Sequence, residues 1–510
     1  VSAPVSKRAI AIAALAVLLT IAGCASTGNV APESTLNQAS TLDAGAAIRA
    51  ADGEAGWPLE QWWRAYGDPQ LNSWVERANA GSPTLAIAAA RVREARAMAG
   101  IARSALAPHV DGSLSVTRKG WPENGYYGPG TFNDTTTWNN TAALSLSYDL
   151  DLWGRNENAT ERALDAAHVS AADARAAQIE LETNVVRAYI GMSQSYALLD
   201  IAQQTLEQQQ KIVDLARRRL AGGLGTQLEV SQAETPLPEY ERQVDIQNEA
   251  IELARNQLAA LAGEGPGAGA SLARPVLSLG QPLGLPSALP AELVGHRPDV
   301  VAARWMVAAQ ARGIDVAKAE FYPNVNLLAS VSQMAAGGAL LTFLGGTGTG
   351  FSAGPAITLP IFEGGRLRSQ LGAASAQYDQ AVEHYNGTLV GALREIADQV
   401  VRMHSLDSQL EASGRSVAAA SKNYRLANEG YRRGLTDYLN VLIAQTQLLR
   451  AQDGEARVRA ERLAAYASLQ AALGGGLDDP SNGPDDGTLA PSKHIGPLRG
   501  LAASKTASAK

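Results

Sequence analysis

The chain has 510 residues, 46% of them hydrophobic but only 5% aromatic, and a formal net charge of −7. That apolar share supports a folded core, and the acidic balance argues against a nucleic-acid-binding protein. A single cysteine excludes an internal disulfide framework and any multi-cysteine metal site, and six scattered histidines form no ligand pair at helical spacing, so no metal is expected.

Lys7 and Arg8 precede an apolar run, 9–23, too short for a membrane-spanning helix and suited to a signal-peptide core. It ends in Ile21-Ala22-Gly23-Cys24, which resembles the lipobox of bacterial lipoproteins. The resemblance implies removal of 1–23 and a covalent lipid on Cys24, with no other cofactor. Ala25 in place of Asp implies sorting to the outer membrane. Residues 24–56 read as a lipid-anchored tether, small and polar in sequence.

Beyond residue 56 the chain repeats itself. Pro83 and Pro108 recur as Pro298 and Pro323 at an offset of 215. Gly154-Arg155 recurs as Gly365-Arg366 at an offset of 211, as do Gly223 and Gly434, Leu228 and Leu439, Val230 and Val441, and Gly263 and Gly474. Two copies, 57–263 and 291–474, are therefore expected, joined by a Gly/Pro-rich linker, 264–290, and followed by a polar, disordered tail, 475–510. Each copy reads helix, strand, loop, strand, long helix, turn, helix.

In the first copy, 85–107 is an Ala-rich helix, and 109–117 and 141–152 alternate apolar and polar residues with a period of two. The second copy matches with 300–322, 324–332 and 351–362. Strands of about ten such residues suit either a half-buried soluble sheet or a membrane barrel. Trp153, Tyr322, Phe321 and Phe362 cluster at the helix-proximal strand ends, as an interfacial girdle or as packing on the helix ends. Four strands leave two open edges, which hydrocarbon does not tolerate. Closure in a membrane then requires several copies of the chain, and about twelve strands leave room for a lumen where about eight do not.

The segment 156–222 lacks proline and predicts one very long helix, as does its counterpart 367–433. Steps of four and three from Val185 through Tyr189, Met192, Tyr196, Leu199, Gln203, Leu206, Gln210, Val213 and Arg217 to Leu220 trace a mostly apolar seam. A matching seam runs through Ile396, Val400, Met403, Leu410, Val417, Tyr424 and Tyr431. The helices reverse at 221–226 and 433–436. Pro236 and Pro238 predict a break in the first return helix, whereas Gln447 and Leu449 at the matched positions predict an unbroken second one. Leu439 and Ile443, four apart, share one face just after the second turn.

Several motifs in this order carry a resemblance: Trp62-Trp63, Gly67-Asp68-Pro69-Gln70-Leu71, His296-Arg297-Pro298-Asp299-Val300, Tyr322-Pro323, Leu359-Pro360-Ile361-Phe362-Glu363-Gly364-Gly365-Arg366, Tyr431-Arg432-Arg433-Gly434 and Asp437-Tyr438-Leu439. With the lipobox they make the chain similar to the TolC-like outer-membrane efflux proteins, specifically the lipoprotein channels of the OprM/NodT kind. The resemblance implies a mainly α fold with a membrane β-barrel: a homotrimer sharing twelve strands above a periplasmic α-barrel of long helical hairpins. It implies a passive exit duct of a tripartite efflux system, working with a periplasmic adaptor and an inner-membrane pump, among outer-membrane lipids of a Gram-negative bacterium and without nucleic acid. It places adaptor contacts at the tips, Gly222, Gly223, Thr226, Arg433, Gly434 and Asp437. Relatives often carry Asp at the position of Ile443 and some at Asn440, so the periplasmic constriction here is expected to be apolar, lined by Leu439 and Ile443. The other reading of Ile443 is packing between helices.

Two rival functions are a lipid-anchored structural coiled coil, which needs no alternating strands, and a type I protein-secretion channel of the same architecture. No enzyme is expected. Gly350-Phe351-Ser352-Ala353-Gly354 matches a nucleophile-elbow pattern, but Ser352 opens an alternating strand and Pro355 follows where a helix would have to start.

Overall fold

The computed structural model describes residues 27–43, 45–51, 57–123, 134–279, 285, 295–336, 340–345, 348–476 and 491. The expected signal peptide with Cys24, the loop aromatics Tyr126, Tyr127 and Phe132, and nearly all of the tail after Gly476 lie outside the described residues.

Helices α1 (Gly45–Ala51), α2 (Pro69–Gly81) and α3 (Pro83–Ser104) lead into strands β1 (His109–Gly120) and β2 (Thr136–Asp149). The first long hairpin consists of α4 (Arg155–Ala221), α5 (Gln227–Glu234) and α6 (Leu237–Leu261). The second copy repeats the plan with α7 (Pro298–Ala319), β3 (Asn324–Ala336), β4 (Thr349–Thr358), α8 (Arg366–Arg432) and α9 (Tyr438–Ala472). Among the described residues no helix is long and apolar enough to cross a membrane.

Helices α4 and α8 each have 67 residues, which is about 100 Å at the usual rise. Each starts behind a glycine in the left-handed region, Gly154 at φ +69° and Gly365 at φ +89°, at matched positions of the two copies. The return helices differ as the prolines require. Pro236 and Pro238 cannot donate backbone hydrogen bonds, so α5 stops at Glu234 and α6 restarts at Leu237, while α9 runs unbroken for 35 residues.

The sheet is antiparallel in the order β1-β2-β3-β4. Its register sorts side chains onto two unlike faces. One cross-strand row holds Gly112, Leu144, Val331 and Phe351; its neighbour on the other face holds Asp111, Ser145, Ser330 and Ser352. The Ser330 and Ser352 hydroxyls are 2.9 Å apart, so Ser352 is a mid-strand residue of the polar face. Strand β2 starts at Thr136, earlier than the apolar alternation indicates, because polar Thr137 and Asn139 continue the ladder with Lys119 and Thr117. Strand β4 ends at Thr358, short of Phe362, where Pro360 supplies no N–H.

The two copies close on themselves by the same device. Gly263 and Gly474, at φ +74° and +93°, each lie against the backbone just before the proline that opens α3 or α7. A Cβ on Gly263 would stand 2.2 Å from the Gly81 carbonyl oxygen, and one on Gly474 would stand 2.0 Å from that of His296. The Arg297 guanidinium reinforces the second closure: Nη1 donates to the Ala472 carbonyl and Glu395, and Nη2 to Asp299. Gly475 and Gly476 are packed too, against Ile179 and the Leu59–Glu60 backbone, so ordered packing extends past 474.

Several expectations need correction. The seam on α4 follows the predicted positions to Leu199 and then slips: Gln203, Gln210 and Arg217 are exposed, and Thr205, Gln209, Ile212 and Ala216 are buried instead. The stripe moves one residue toward the N-terminus because the tip core draws that side inward: Gln209 donates to the Ala233 carbonyl and the Tyr438 hydroxyl, and Ile212 and Ala216 pack with Val230 and Val441. Residues 27–43 do not hang free. The Asp379 carboxylate on α8 accepts from Glu33 N and Ser34 N at 3.0 and 2.9 Å, Asn386 brackets Asn37 N and the Thr35 carbonyl, and Val30, Leu36 and Leu42 pack on the core. The first half of the linker is also docked, with Val276 N donating to Asp68 and Arg274 paired with Asp200. The aromatic cluster splits. Trp153 stacks on Tyr322 at 4.5 Å and donates to the Pro323 carbonyl, Phe321 is buried in the core, and Phe362 is exposed.

The closure at Gly474 gives a direct test. Gly474→Ala adds a Cβ where both the positive φ and the His296 carbonyl oppose it, and is expected to cost about 1–3 kcal/mol. Thermal unfolding followed by circular dichroism should show a lower midpoint than the parent; an unchanged midpoint would contradict the packing described.

Candidate functional site

The end of the molecule far from the sheet is built from both hairpin turns. Each long helix stops with an α-to-left-handed transition, at Gly223 (φ +69°) and Gly434 (φ +73°). Leu224 N reaches back to the Arg219 carbonyl at 2.8 Å, and Leu435 N to that of Gly430 at 2.9 Å. These bonds satisfy carbonyls that the helix ends leave open. Thr226 and Asp437 then cap the return helices, accepting from Glu229 N and Asn440 N, each at 3.2 Å. Both side chains are thus engaged in building the turns. Gly222, Gly223 and Gly434 form the turn backbone, and exposed Arg433 stands at the second tip beside Leu435, as Leu224 does at the first.

Behind the turns lies a small core that joins the hairpins: Ile212, Val213, Ala216, Val230 and Ala233 from the first, Tyr431, Tyr438 and Val441 from the second. Gln209 Nε2 donates to the Tyr438 hydroxyl at 2.7 Å and to the Ala233 carbonyl at 2.5 Å. Burial pushes the Tyr438 phenol up to about 12, so it stays protonated at physiological pH. The Arg219 guanidinium sits 4.9 Å from the centre of the Tyr431 ring and donates to the carbonyls of Tyr431 and Leu224, both at 3.2 Å. Gln209 and Arg219 were not singled out from the sequence, where each is one polar residue in a polar helix. The repeat could have flagged them, since their matched positions are Ala420 and Gly430.

The copies diverge in charge here. The first turn carries Arg217–Glu234 at 2.6 Å and Arg219–Glu229 at 4.0 Å. The matched second-copy residues are Asn428, Gln445, Gly430 and Asn440. Gln445 is buried, and neither of its amide atoms has a hydrogen-bond partner among the described residues.

The predicted constriction residues lie on the far side of α9 from this core. Tyr438, Val441 and Ala444 face inward, while Leu439 and Ile443 remain 53% and 49% exposed. Ile443 is therefore not packed between the helices of its own chain. Asp437, the nearest carboxylate, is held as the cap of α9, with Asn440 Nδ2 donating to it at 2.7 Å.

The motif residues of the opening and of the second copy's start prove to be joints. Asp68 caps α2 and accepts from Gln70 N, the Tyr189 hydroxyl and Val276 N at 2.8–2.9 Å. His296 stacks on Trp57 at 3.9 Å.

Comparison with known proteins follows the same architecture. The family model described as outer membrane efflux protein matches residues 74–264 and 289–475. The chain is 54% identical over 494 residues to a fusaric acid resistance protein, FusA, of Burkholderia cepacia, covering 93% of this chain and 90% of that one. It is 30% identical to the multidrug resistance outer membrane protein MdtP of Escherichia coli K12, over 83% of this chain and 87% of that one. Its fold matches the crystal structure of the outer membrane protein VceC of Vibrio cholerae with a TM-score of 0.76 at 34% identity, covering 83% of this chain and 100% of that one.

Proposed function

The chain belongs to the outer membrane efflux protein family and is an outer-membrane channel of tripartite efflux systems; from that premise we propose that three copies close head to tail into one passive exit duct for small molecules. The observation that carries this proposal is an interface inside the chain whose counterpart is left open. Helix α4 of the first copy packs against α7 and α9 of the second. His168 stacks on Trp305 at 4.3 Å, Arg162 donates to Gln310, and Ile190 lies in one core cluster with Ala460 and Ala467. Helix α8, the counterpart of α4, has no third copy to meet. Ile179 and Ile190 on α4 are 6% and 2% exposed, whereas the matched Val390 and Val401 on α8 are 50% and 57% exposed. At the other end, α3 leaves Ile87, Met98 and Ile101 exposed, whereas its counterpart α7 is almost wholly buried.

Each chain thus ends in two complementary half-interfaces, and joining the α8 face of one chain to the α3 and α6 faces of the next repeats a contact already formed internally. Such a heterologous interface closes into a ring or runs on as a filament. The sheet selects the ring, since a barrel abolishes open edges. Three chains supply twelve strands and a lumen; two would give a barrel filled by side chains.

In this reading Leu439 and Ile443, with Leu228 at the matched position of the first hairpin, surround the periplasmic mouth with apolar side chains. Such a ring closes a pore by excluding water. The exposed Leu224 and Leu435 at the tips offer apolar contacts to a periplasmic adaptor, which couples the duct to an inner-membrane pump. A lipid on Cys24 holds the chain in the outer membrane. The docked segment 27–43 carries that anchor to α8 near its sheet-proximal end. Cargo of small organic molecules, rather than secreted protein, accords with the FusA relative, which is named for resistance to fusaric acid.

Three measurements test these points. Transfer of the internal contact brings Met98 of one chain to within an arginine side chain's reach of Ala373 of the next, because a Cβ built on Gly313 would stand 3.4 Å from the Arg162 guanidinium carbon. A Met98→Cys/Ala373→Cys chain should therefore crosslink between chains with a bifunctional thiol reagent about 10 Å long, a span beyond a direct disulfide, and each single variant should not; absence of interchain product would contradict the ring. In single-channel recording, Ile443→Asp should raise conductance and introduce block by divalent cations, whereas unchanged traces would remove Ile443 from the mouth. Labelled fatty acid should be incorporated by the parent and not by Cys24→Ser, and persistent labelling would place the lipid elsewhere.

A further inference from the structure

The helix-distal rim of the sheet carries a group of residues that neither the duct nor the tip explains. On β1 the apolar face runs through Val110, Gly112, Leu114 and Val116, and the next residue on that face is Arg118. Arg118 pairs across the strands with Trp138, and its guanidinium lies 5.5 Å from the Trp138 ring centre. It is exposed, and no carboxylate among the described residues forms an ion pair with it. Lys119, its neighbour, belongs to the opposite, polar face and lies over Trp121 at 4.0 Å.

The same face holds a second feature. Asn140 lies on the apolar-face row opposite Val116, is buried, and donates from Nδ2 to the Leu340 carbonyl at 2.6 Å. That bond draws the turn between β3 and β4 onto the apolar side of the sheet. In the turn Phe343 is buried, while Leu341 and Leu344 are exposed. A loop at an aqueous pore mouth gains little from two exposed leucines. A turn at a membrane interface gains hydrocarbon contact from both.

The two features sit at one height. Eight residues separate Val110 from Arg118, which at about 3.3 Å per residue and a tilt of about 40° is about 20 Å along the membrane normal. Below lie the Trp153–Tyr322 stack and the exposed Phe362. The apolar band of an outer-membrane barrel is about 25 Å tall. Arg118 therefore stands where hydrocarbon gives way to the headgroups of the outer leaflet, with its stem along the apolar face and its fork free to meet an anion.

We propose that this rim is a lipid site: Arg118 binds the phosphate of a phosphorylated outer-leaflet lipid beside Trp138, and Leu341 and Leu344 insert among that lipid's acyl chains. A planar guanidinium matches phosphate oxygens with two parallel hydrogen bonds. The continuity of the rim with the lipid-facing side of the sheet favours a lipid over free phosphate. The site rests on the outer-membrane channel reading, and in a ring it recurs once per chain.

The test uses the full chain in detergent, native mass spectrometry, and two probes: bis-phosphorylated lipid A and the same lipid with its phosphates removed. The parent should retain the phosphorylated form about fivefold more strongly. Arg118→Gln should bring the two forms near parity, Arg118→Lys should keep most of the preference, and Leu341→Ser/Leu344→Ser should weaken retention of both forms. Excess inorganic phosphate should leave the lipid bound. No preference in the parent, an undiminished preference in Arg118→Gln, or displacement of the lipid by inorganic phosphate would overturn the site. Should Arg118→Gln fail to assemble, the two probes on the parent and on Arg118→Lys decide the matter. The oligomer mass is read in the same spectra, so loss of the lipid preference in an intact ring defeats this site alone, and loss of the ring defeats the channel reading.

Discussion

An open backbone edge on each side of the sheet is the constraint from which the rest of the structure follows. Strands β1 and β4 lie at the two ends of the β1-β2-β3-β4 order, and each presents a row of N–H and C=O groups with no strand beside it among the described residues. In hydrocarbon every such group costs several kcal/mol, on the order of the whole stability of a domain once summed along a strand. A single chain cannot satisfy both edges and keep its apolar face toward lipid. Copies of the chain can do so, and the helices are already shaped for it. The contact of α4 with α7 and α9 is made once inside the chain and left unmade at its ends, where Val390, Val401, Ile87, Met98 and Ile101 stand exposed.

Internal duplication accounts for the shared devices, and divergence between the copies accounts for their separate tasks. Gly263 and Gly474 close the two copies identically against the prolines that open α3 and α7. At the tip the copies part. The first hairpin is interrupted at Pro236 and carries the Arg217–Glu234 and Arg219–Glu229 pairs. The second runs straight, lacks those charges, and holds its place through Tyr431, Tyr438 and the Gln209 amide. A return helix whose first three turns, 438–449, carry no charge and hold exposed Leu439 and Ile443 suits the wall of a mouth that closes by excluding water. The charged, broken hairpin lends it a bracing partner.

Much of this was legible in the sequence because it rests on local rules. Proline-free stretches located both 67-residue helices to within a residue, the Pro236/Pro238 pair marked the break, and period-two alternation found all four strands. What escaped depends on contacts distant in sequence. Asp379 holds Glu33 N and Ser34 N from more than three hundred residues away, and an aspartate on a helix face gives no hint of two backbone donors. Gln209 and Arg219 look like solvated helix positions until the tip core assembles around them. The α4 seam follows the expected positions to Leu199; beyond it the tip core draws Gln209, Ile212 and Ala216 inward in place of Gln210 and Arg217, a contact between hairpins that the heptad does not encode. The strand ends were misjudged where polar residues such as Asn139 extend a ladder that the apolar count had ended. Gly222, Gly223, Thr226, Arg433, Gly434 and Asp437 lie in the two turns, where Thr226 and Asp437 cap the return helices and exposed Leu224 and Leu435 stand out with Arg433.

The central claim is that an interface made once within the chain is made again between chains until the sheet closes. The mass of the intact assembly, measured by native mass spectrometry on the detergent-solubilised protein, tests it most directly. The expected result is a single species of three chains, with no monomer that keeps its sheet. A stable folded monomer, or a closed assembly of two chains, would contradict it.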